Sequence, residues 1–403
     1  MPTRTLFISD IHMGVNRKTN WYQDNVHTVA LKGFLRYVLE HVNEINDLVI
    51  LGDWFDQWTY APNDLPPTIT EIMTSNPEVF TRQSDGSGDF ITVLNALKGK
   101  GNLRFVNGNH DMLAELQEIN AWFTQHTDQA VLPGVGNDLT MTWAENTFYQ
   151  SSNNKIYAEH GHLHDLFNKP ANMSANPYIP LPVGHFITRT VGDSVLKQLS
   201  TDKPNSAYLK NSGDPDYSHI GVDIKVIIQT IKDLIERGES PHIAEIVLDT
   251  VLSFDKSKKL EYNMEWYRGG HPSSDAVDNY YPALLTLQEF FQDIKEIEVN
   301  FNGLDYFAKQ YYQQHPEARV VVMGHTHDYR LVWNGRENAP VYINSGYYCP
   351  SIPDMESGTK LPTFVEIIKN EHASFTVNEK KITDYKAGTV VTGQTATINW
   401  EPS

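Results

Sequence analysis

Five short motifs follow one another along this chain of 403 residues: Asp10-Ile11-His12, Gly52-Asp53-Trp54-Phe55-Asp56, Gly108-Asn109-His110-Asp111, His160-Gly161-His162 and Gly324-His325-Thr326-His327. They offer carboxylates, imidazoles and one amide but no thiolate, a donor set that suits a borderline divalent ion such as Mn, Fe, Zn, Co or Ni. Seven of these side chains, Asp10, His12, Asp53, Asn109, His160, His325 and His327, are candidate metal ligands, more than one ordinary site takes. Two ions sharing a bridging carboxylate use them economically, and a pair about 3.5 to 4 Å apart is a recurrent device for hydrolysing phosphoesters. A lone Asp-x-His or Gly-Asp is ordinarily a strand-end turn or a loop; five such motifs in one order are a strong signal.

Residues as far apart as Asp10 and His327 meet only if the elements carrying them converge. Apolar strand-like runs lie just ahead of the motifs, at Thr5 to Ser9, Asp47 to Leu51, Leu103 to Val106, Ile156 to Glu159 and Arg319 to Met323. In an open α/β sheet, residues just past the carboxyl ends of strands gather at one edge, where ligands bind. Between the first two runs Val26, Val29, Ala30, Gly33, Phe34, Tyr37 and Val38 recur at helical spacing, which predicts a crossover helix and a parallel βαβ unit. Helices are also predicted at Phe90 to Leu97 and Leu113 to Phe123. Further strands are predicted at Leu139 to Trp143, Thr147 to Gln150, Tyr329 to Trp333, Val341 to Asn344 and Thr363 to Ile368.

Residues 166–315 change character. They open with a Pro- and Asn-rich stretch, Asn168 to Pro182, and continue with helical patterns at Val222 to Glu236, Ile243 to Leu252 and Leu284 to Val299. The expected organisation is a core of residues 1–165 and 316–370, a mainly helical cap inserted as 166–315 above the motifs, and a β-rich C-terminal extension, 371–403, in which Thr389 to Asn399 alternate.

A content of 40% hydrophobic and 20% charged residues is that of a globular protein. No apolar run approaches the roughly 20 residues of a membrane span. Met1 to Ile8 leads straight into a strand-like run without the basic region and cleavage site of a secretory leader, so a soluble cytoplasmic protein is expected. Cys349 is the only cysteine, which excludes an intrachain disulfide and any multi-thiolate metal site. A net charge of -18 disfavours nucleic acid as a partner, because phosphate backbones attract basic surfaces. Nothing in the pattern fixes an oligomeric state.

The set Asp-x-His, Gly-Asp-x-x-Asp, Gly-Asn-His-Asp, His-Gly-His and Gly-His-Thr-His is similar to the pattern of calcineurin-like metallophosphoesterases, across roughly residues 5–165 and 319–368. The resemblance implies an α/β fold, α+β by strict class, built as a two-sheet β-sandwich flanked by helices. It implies that Asp10, His12 and His327 hold one ion, that Asn109, His160 and His325 hold the other, and that Asp53 bridges them. A water or hydroxide between the ions would attack phosphorus in line. His110, oriented by Asp111, would stabilise the phosphoryl oxygens or protonate the leaving group. Protein serine/threonine phosphatases of this superfamily carry Gly-Asp-x-Val-Asp-Arg-Gly and Gly-Asn-His-Glu, whereas here Gln57 and Trp58 follow Asp56 and Asp111 follows His110. The pattern looks nearer to the bacterial branch containing UDP-diacylglucosamine pyrophosphatases, which have His-Gly-Asp where this chain has His160-Gly161-His162. The expected substrate is a phosphorylated small molecule or nucleotide-type compound, cleaved at a phosphomonoester, phosphodiester or pyrophosphate bond. A nuclease, or a non-catalytic metal-binding scaffold of the same fold, is the alternative.

Other residues carry weaker signals. Asp56 reads as support for its turn or for a ligating histidine. Arg17, Lys18 and His162 are candidate substrate contacts, although a basic pair on a loop is usually solvated surface and a histidine in a loop is as often packed. Trp54, Trp58 and Tyr60 beside Asp53 could stack on a base or sugar, with core and rim packing the commoner use of such rings. Asp165 reads as orienting the His160 loop, Asn344-Ser345-Gly346 as support near His327, and Arg268 and His271 as surface.

Overall fold

The computed structural model describes residues 3–165, 168, 184, 185, 188, 304–346 and 361–400, apart from 18, 19, 23, 61–65, 85–87, 113, 144, 328, 372 and 384–387. Strands β1 (Thr3–Ile8), β2 (Ile45–Leu51), β3 (Asn102–Val106) and β4 (Leu132–Pro133) run parallel. On the other side of β1, the antiparallel strands β10 (Thr363–Lys369), β11 (Ser374–Ile382) and β12 (Val390–Asn399) complete a seven-stranded sheet of order β12-β11-β10-β1-β2-β3-β4. The second sheet has five strands, ordered β5 (Phe148–Gln150), β6 (Ile156–Glu159), β7 (Val320–Met323), β9 (Val341–Asn344) and β8 (Arg330–Val332), with β6, β7 and β9 parallel. This is the expected mixed α/β architecture of two sheets flanked by helices.

Alternation along the strands assigns the layers, because successive side chains of a strand point to opposite faces. Phe7, Val49, Leu51, Val106, Val365 and Ile367 meet Ile156, Ala158, Val320, Val322, Val341 and Ile343 in an apolar layer between the sheets. Their neighbours Leu6, Ile8, Leu48, Ile50, Leu103, Phe105 and Phe364 face the other way, onto the helices. The covering helices are α1 (Asp24–Glu40), α2 (Ile69–Ser75), α3 (Pro77–Phe80), α4 (Phe90–Leu97) and α5 (Leu116–Thr124). In α1 the predicted residues Ala30, Gly33, Phe34, Tyr37 and Val38 are buried, together with Leu31 and Leu35, which the predicted stripe did not include. Helix α6 (Asp305–Gln314) covers the outer face of the second sheet, where Leu304 and Ala308 pack with Val321, Met323 and Tyr342.

Local chemistry explains where elements start and where one prediction fails. The hydroxyl of Thr68 accepts the Glu71 N–H at 3.2 Å, and the Glu71 carboxylate accepts the Thr68 N–H at 2.8 Å, a reciprocal cap that starts α2. Leu139 to Trp143, predicted as a strand, forms turns. The Asp138 carboxylate accepts the Thr140 N–H at 2.9 Å and the Glu145 carboxylate accepts the Thr142 N–H at 2.8 Å, giving this backbone local partners in place of a sheet ladder. The predicted cap helices at 222–236, 243–252 and 284–299 lie outside the described residues. Among the described residues, no helix is long and apolar enough to cross a membrane.

Candidate metal centre

The five motifs sit just beyond the carboxyl ends of β1, β2, β3, β6 and β7, so both sheets direct their loops to one place. The loops are tied together by backbone hydrogen bonds from His12 N–H to Asp53 O at 2.8 Å, Gln57 N–H to His110 O at 3.1 Å and Gly324 N–H to His160 O at 2.9 Å. The His325 N–H donates to the Asp10 carboxylate at 3.0 Å, which joins the first motif to the last. Eight non-glycine residues among those described have positive φ, and five of them are Asp10, His12, Asp53, His325 and His327. Left-handed backbone is costly for such residues and persists where the surroundings impose it, as they do at functional sites.

Two triads result, each with one ligand atom per residue and all such atoms within 4.8 Å of one another: Asp10, His12 and His327, and Asp53, His160 and His325. His12, Asp53 and His110 form a third grouping that overlaps both. All these side chains are buried except His325, which is 10% exposed. Together they make two closely spaced clusters consistent with a dinuclear divalent metal site.

The donor atoms fit such ions. The Nδ1–H of His160 donates to the Leu51 carbonyl at 2.8 Å, which leaves Nε2 as the lone pair. That Nε2 lies 3.1 Å from Asp53 Oδ2 without the alignment of a hydrogen bond, an arrangement in which lone pair and carboxylate both need a cation. Nε2 atoms of His12 and His327 face each other at 3.0 Å. Asn109 is buried; its Nδ2 donates to Asn168 Oδ1 at 3.3 Å while its Oδ1, the ligating atom of an amide, has no partner among the described residues.

Electrostatics agree with this chemistry. Burial, reinforced by His110, lowers the basicity of His12, and burial with His12 beside it holds His327 well below its ordinary range, so both stay neutral and able to ligate. Burial would raise the Asp53 carboxyl, but His160, His110 and His12 hold it well below the usual value. Burial would lower His160, yet Asp53 and Asp10 push it up to about 9. A proton and a metal ion are thus alternatives at the same lone pair.

Asp56 supports its turn as the sequence suggests, whereas Asp111 departs from the sequence expectation. The carboxylate facing His110 Nδ1, at 3.1 Å, belongs to Asp56, which also accepts the N–H groups of Trp58 at 2.9 Å and Thr59 at 3.0 Å. Asp111, expected to orient His110, instead accepts the N–H groups of Gly108 at 2.6 Å, Trp54 at 2.9 Å and Phe55 at 3.3 Å, and so ties the second motif to the third. Burial and the nearby Asp53 push the Asp111 carboxyl up to about 7, while its three N–H donors favour the anion.

The remaining candidates divide. Asp165 receives the His325 ring at 2.8 Å, and Asn344 donates to the Gly324 carbonyl at 2.7 Å, so both brace the last motif. Ser9, which the motifs do not include, donates to Asp10 and meets the Ser345 hydroxyl. His162 is buried beside His160, ring centroids 5.5 Å apart, and neither of its nitrogens has a hydrogen-bond partner among the described residues. Arg17 is exposed, with its guanidinium 5.4 Å from the Tyr60 ring. Lys18, Arg268 and His271 lie outside the described residues. Trp21, with no motif to flag it, packs against His12 at 4.6 Å.

Gly108 is required by close approach: a methyl group there would overlap the Asp53 carboxylate. Gly108→Ala is therefore expected to displace Asp53 and lower turnover by about a hundredfold, the cost of misplacing a reacting group by about 1 Å. Retention of full turnover by a folded variant would show that Asp53 tolerates the shift.

A two-sheet α/β core with a carboxylate–imidazole centre of dinuclear type at its strand ends has the architecture of a metallophosphoesterase. Residues 3–183 match the family described as calcineurin-like phosphoesterase. The match ends before His325 and His327, which β7 returns to the same centre. The chain matches none of the curated proteins searched. Among solved structures it is similar to a dimetal phosphatase from Danio rerio, at 13% identity and a TM-score of 0.36 over 99% of each chain. It is also similar to GAP50, the anchor in the inner membrane complex of Plasmodium, at 11% identity and a TM-score of 0.33 over 100% of this chain and 90% of that one. A Vps29 mutant from Entamoeba histolytica is similar at 10% identity and a TM-score of 0.31 over 98% of this chain and 100% of that one. These three likenesses carry nothing about the site.

Proposed function

We propose that this protein hydrolyses a phosphomonoester, phosphodiester or pyrophosphate bond in a phosphorylated small molecule or nucleotide, at a dinuclear metal centre. The observation that carries the reading is Asp53, whose carboxylate belongs to one triad, 3.1 Å from His160 Nε2, and lies 3.7 Å from His12 Nε2 of the other. Asp10, His12 and His327 would hold one ion, Asn109, His160 and His325 the other, and Asp53 both. When bound, the ions supply Lewis-acid charge for the phosphoryl group and a means of activating water near neutral pH. The chain's own part is positional. Asp56 holds the His110 ring by Nδ1, which leaves Nε2 to donate to a phosphoryl oxygen or to the leaving group. Burial and the left-handed loops keep the ligands preorganised.

Metal content per chain, measured together with hydrolysis of an aryl phosphomonoester, an aryl phosphodiester, a nucleoside diphosphate sugar and single-stranded DNA, tests this reading. The expected result is two ions and turnover of at least one of the first three, abolished by a chelator and restored by added ions. Turnover of the nucleoside diphosphate sugar alone would place the protein nearest the pyrophosphatase branch that its motifs resemble. A protein that retains no metal and hydrolyses nothing under Mn, Zn or Ni supplementation would be a scaffold, and the proposal would be wrong.

A further inference from the structure

His110 is enclosed by aromatic rings. Trp58 stacks on it with centroids 4.6 Å apart and planes at 29°, His12 meets it edge-on at 4.4 Å, and Trp21 lies at 4.9 Å with a tilt of 47°. Trp21 also reaches the His327 ring at 5.9 Å, so it touches the first triad and His110 together. One chain of hydrogen bonds joins the two segments that carry these indoles. The Asp56 carboxylate that faces His110 accepts the backbone N–H of Trp58 and, at 2.7 Å, the Thr59 hydroxyl; the Thr59 oxygen accepts from Asn20 Nδ2 at 3.1 Å, one residue before Trp21.

An indole N–H can only donate. Nε1 of Trp21 and Nε1 of Trp58 are both buried, and neither has an acceptor among the described residues. Leaving such donors unpaired in the folded protein is unfavourable. Trp143 and Trp400 also have a buried Nε1 without an acceptor, and an orphaned indole by itself therefore identifies nothing. Trp21 and Trp58 differ in that both rings lie on His110, beside the ligand triads. What two donors need there is an acceptor, and an ionised phosphoryl group offers only acceptors. We propose that Trp21 Nε1 and Trp58 Nε1, whose rings both pack against His110, form a donor subsite for the non-bridging oxygens of a phosphate or phosphate ester. The subsite rests on the phosphoester reading and adds to it two uncharged donors that the motifs do not contain. Uncharged donors suit a chain of net charge -18, because they hold a phosphoryl group without basic residues.

The test uses the full chain loaded with zinc and labelled with 15N at its tryptophans. The Trp21 and Trp58 indole signals, assigned from W21F and W58F, are expected to shift as inorganic phosphate is added, while the Trp400 signal stays in place. Each Phe variant keeps a ring but loses the donor, and is expected to weaken phosphate binding roughly tenfold with unchanged metal content. Trp21 is only partly buried, so W21F answers the question even if W58F fails to fold. Phosphate binding seen by 31P line broadening, with both indole signals unmoved and W21F binding like the wild type, overturns the subsite and leaves the phosphoester reading standing. Failure of the metal-loaded wild type to bind phosphate at all overturns both.

Discussion

Asp53→Asn is expected to remove both ions from the protein and lower turnover by more than about a thousandfold, beyond the 10² to 10³ that a single electrostatic contact carries. Asp53 is the carboxylate between the triads: its Oδ2 lies 3.1 Å from His160 Nε2 and 3.7 Å from His12 Nε2, and its Oδ1 accepts the His110 N–H at 2.8 Å. An asparagine keeps the shape and one acceptor but removes the charge that both ions would share. His110→Ala provides the contrast. The His110 ring borders His12 and Asp53 closely enough to be a ligand itself, yet Asp56 engages its Nδ1. Acting on the phosphoryl group or the leaving group, it should cost about 10² to 10⁴ in turnover and leave metal content unchanged. Elemental analysis of the two purified variants beside their hydrolysis rates separates the roles. Equal loss of metal from both would make His110 a ligand and sink this division.

That experiment tests residues whose types and order were readable before their positions. Strand-end motifs imply convergence, because parallel strands present their carboxyl ends together, and the alternation in Leu6 to Ile8 or Leu48 to Leu51 already says which side chains share a face. Partners across the fold are another matter. His12 and His327 stand 315 positions apart, and only the pairing of β7 with β6 and β9 sets their rings at 3.0 Å. The misassignment of Asp111 has the same origin: adjacency in Gly108-Asn109-His110-Asp111 suggested that it orients His110, but the loop turns its carboxylate toward three backbone N–H groups and leaves His110 to Asp56 on another strand end. Helix α2 carried a readable start in Thr68 and Glu71 that periodicity alone, over so short a segment, did not reveal. Trp21 had no signal, since stacking on a histidine imposes no spacing on the sequence.

A second large effect is expected far from the motifs, at Glu366 in the middle of β10. Its side chain is fully buried beneath α1, where it accepts from the Tyr37 hydroxyl at 2.6 Å, from Asn378 Nδ2 at 2.9 Å and from Arg4, and it pairs with Lys380 at 3.1 Å. Glu366→Leu leaves Lys380 without its anion and Arg4, which is partly buried, with the anion of Glu44 alone. Removing one partner of a buried pair costs about 3 to 5 kcal/mol, which in a domain of this size lowers the thermal midpoint on the order of 10 °C. Burial alone would raise the Glu366 carboxyl, but Tyr37, Lys380, Asn378 and Arg4 together hold it below its ordinary value. A depressed folded-state pKa means that this stabilisation is fully present above the unfolded value of about 4.3 and is lost as pH falls through the folded value. The gap in midpoint between wild type and Glu366→Leu should therefore be widest near neutrality and close in acid, and Lys380→Met added to the variant should recover part of the loss. Denaturation followed from pH 7 down to pH 3 measures it, and a gap that stays constant with pH would mean that lost volume, not lost charge, sets the cost. Arg4 lies near the start of β1 and Asp10 beyond its far end, so turnover per folded molecule should not change.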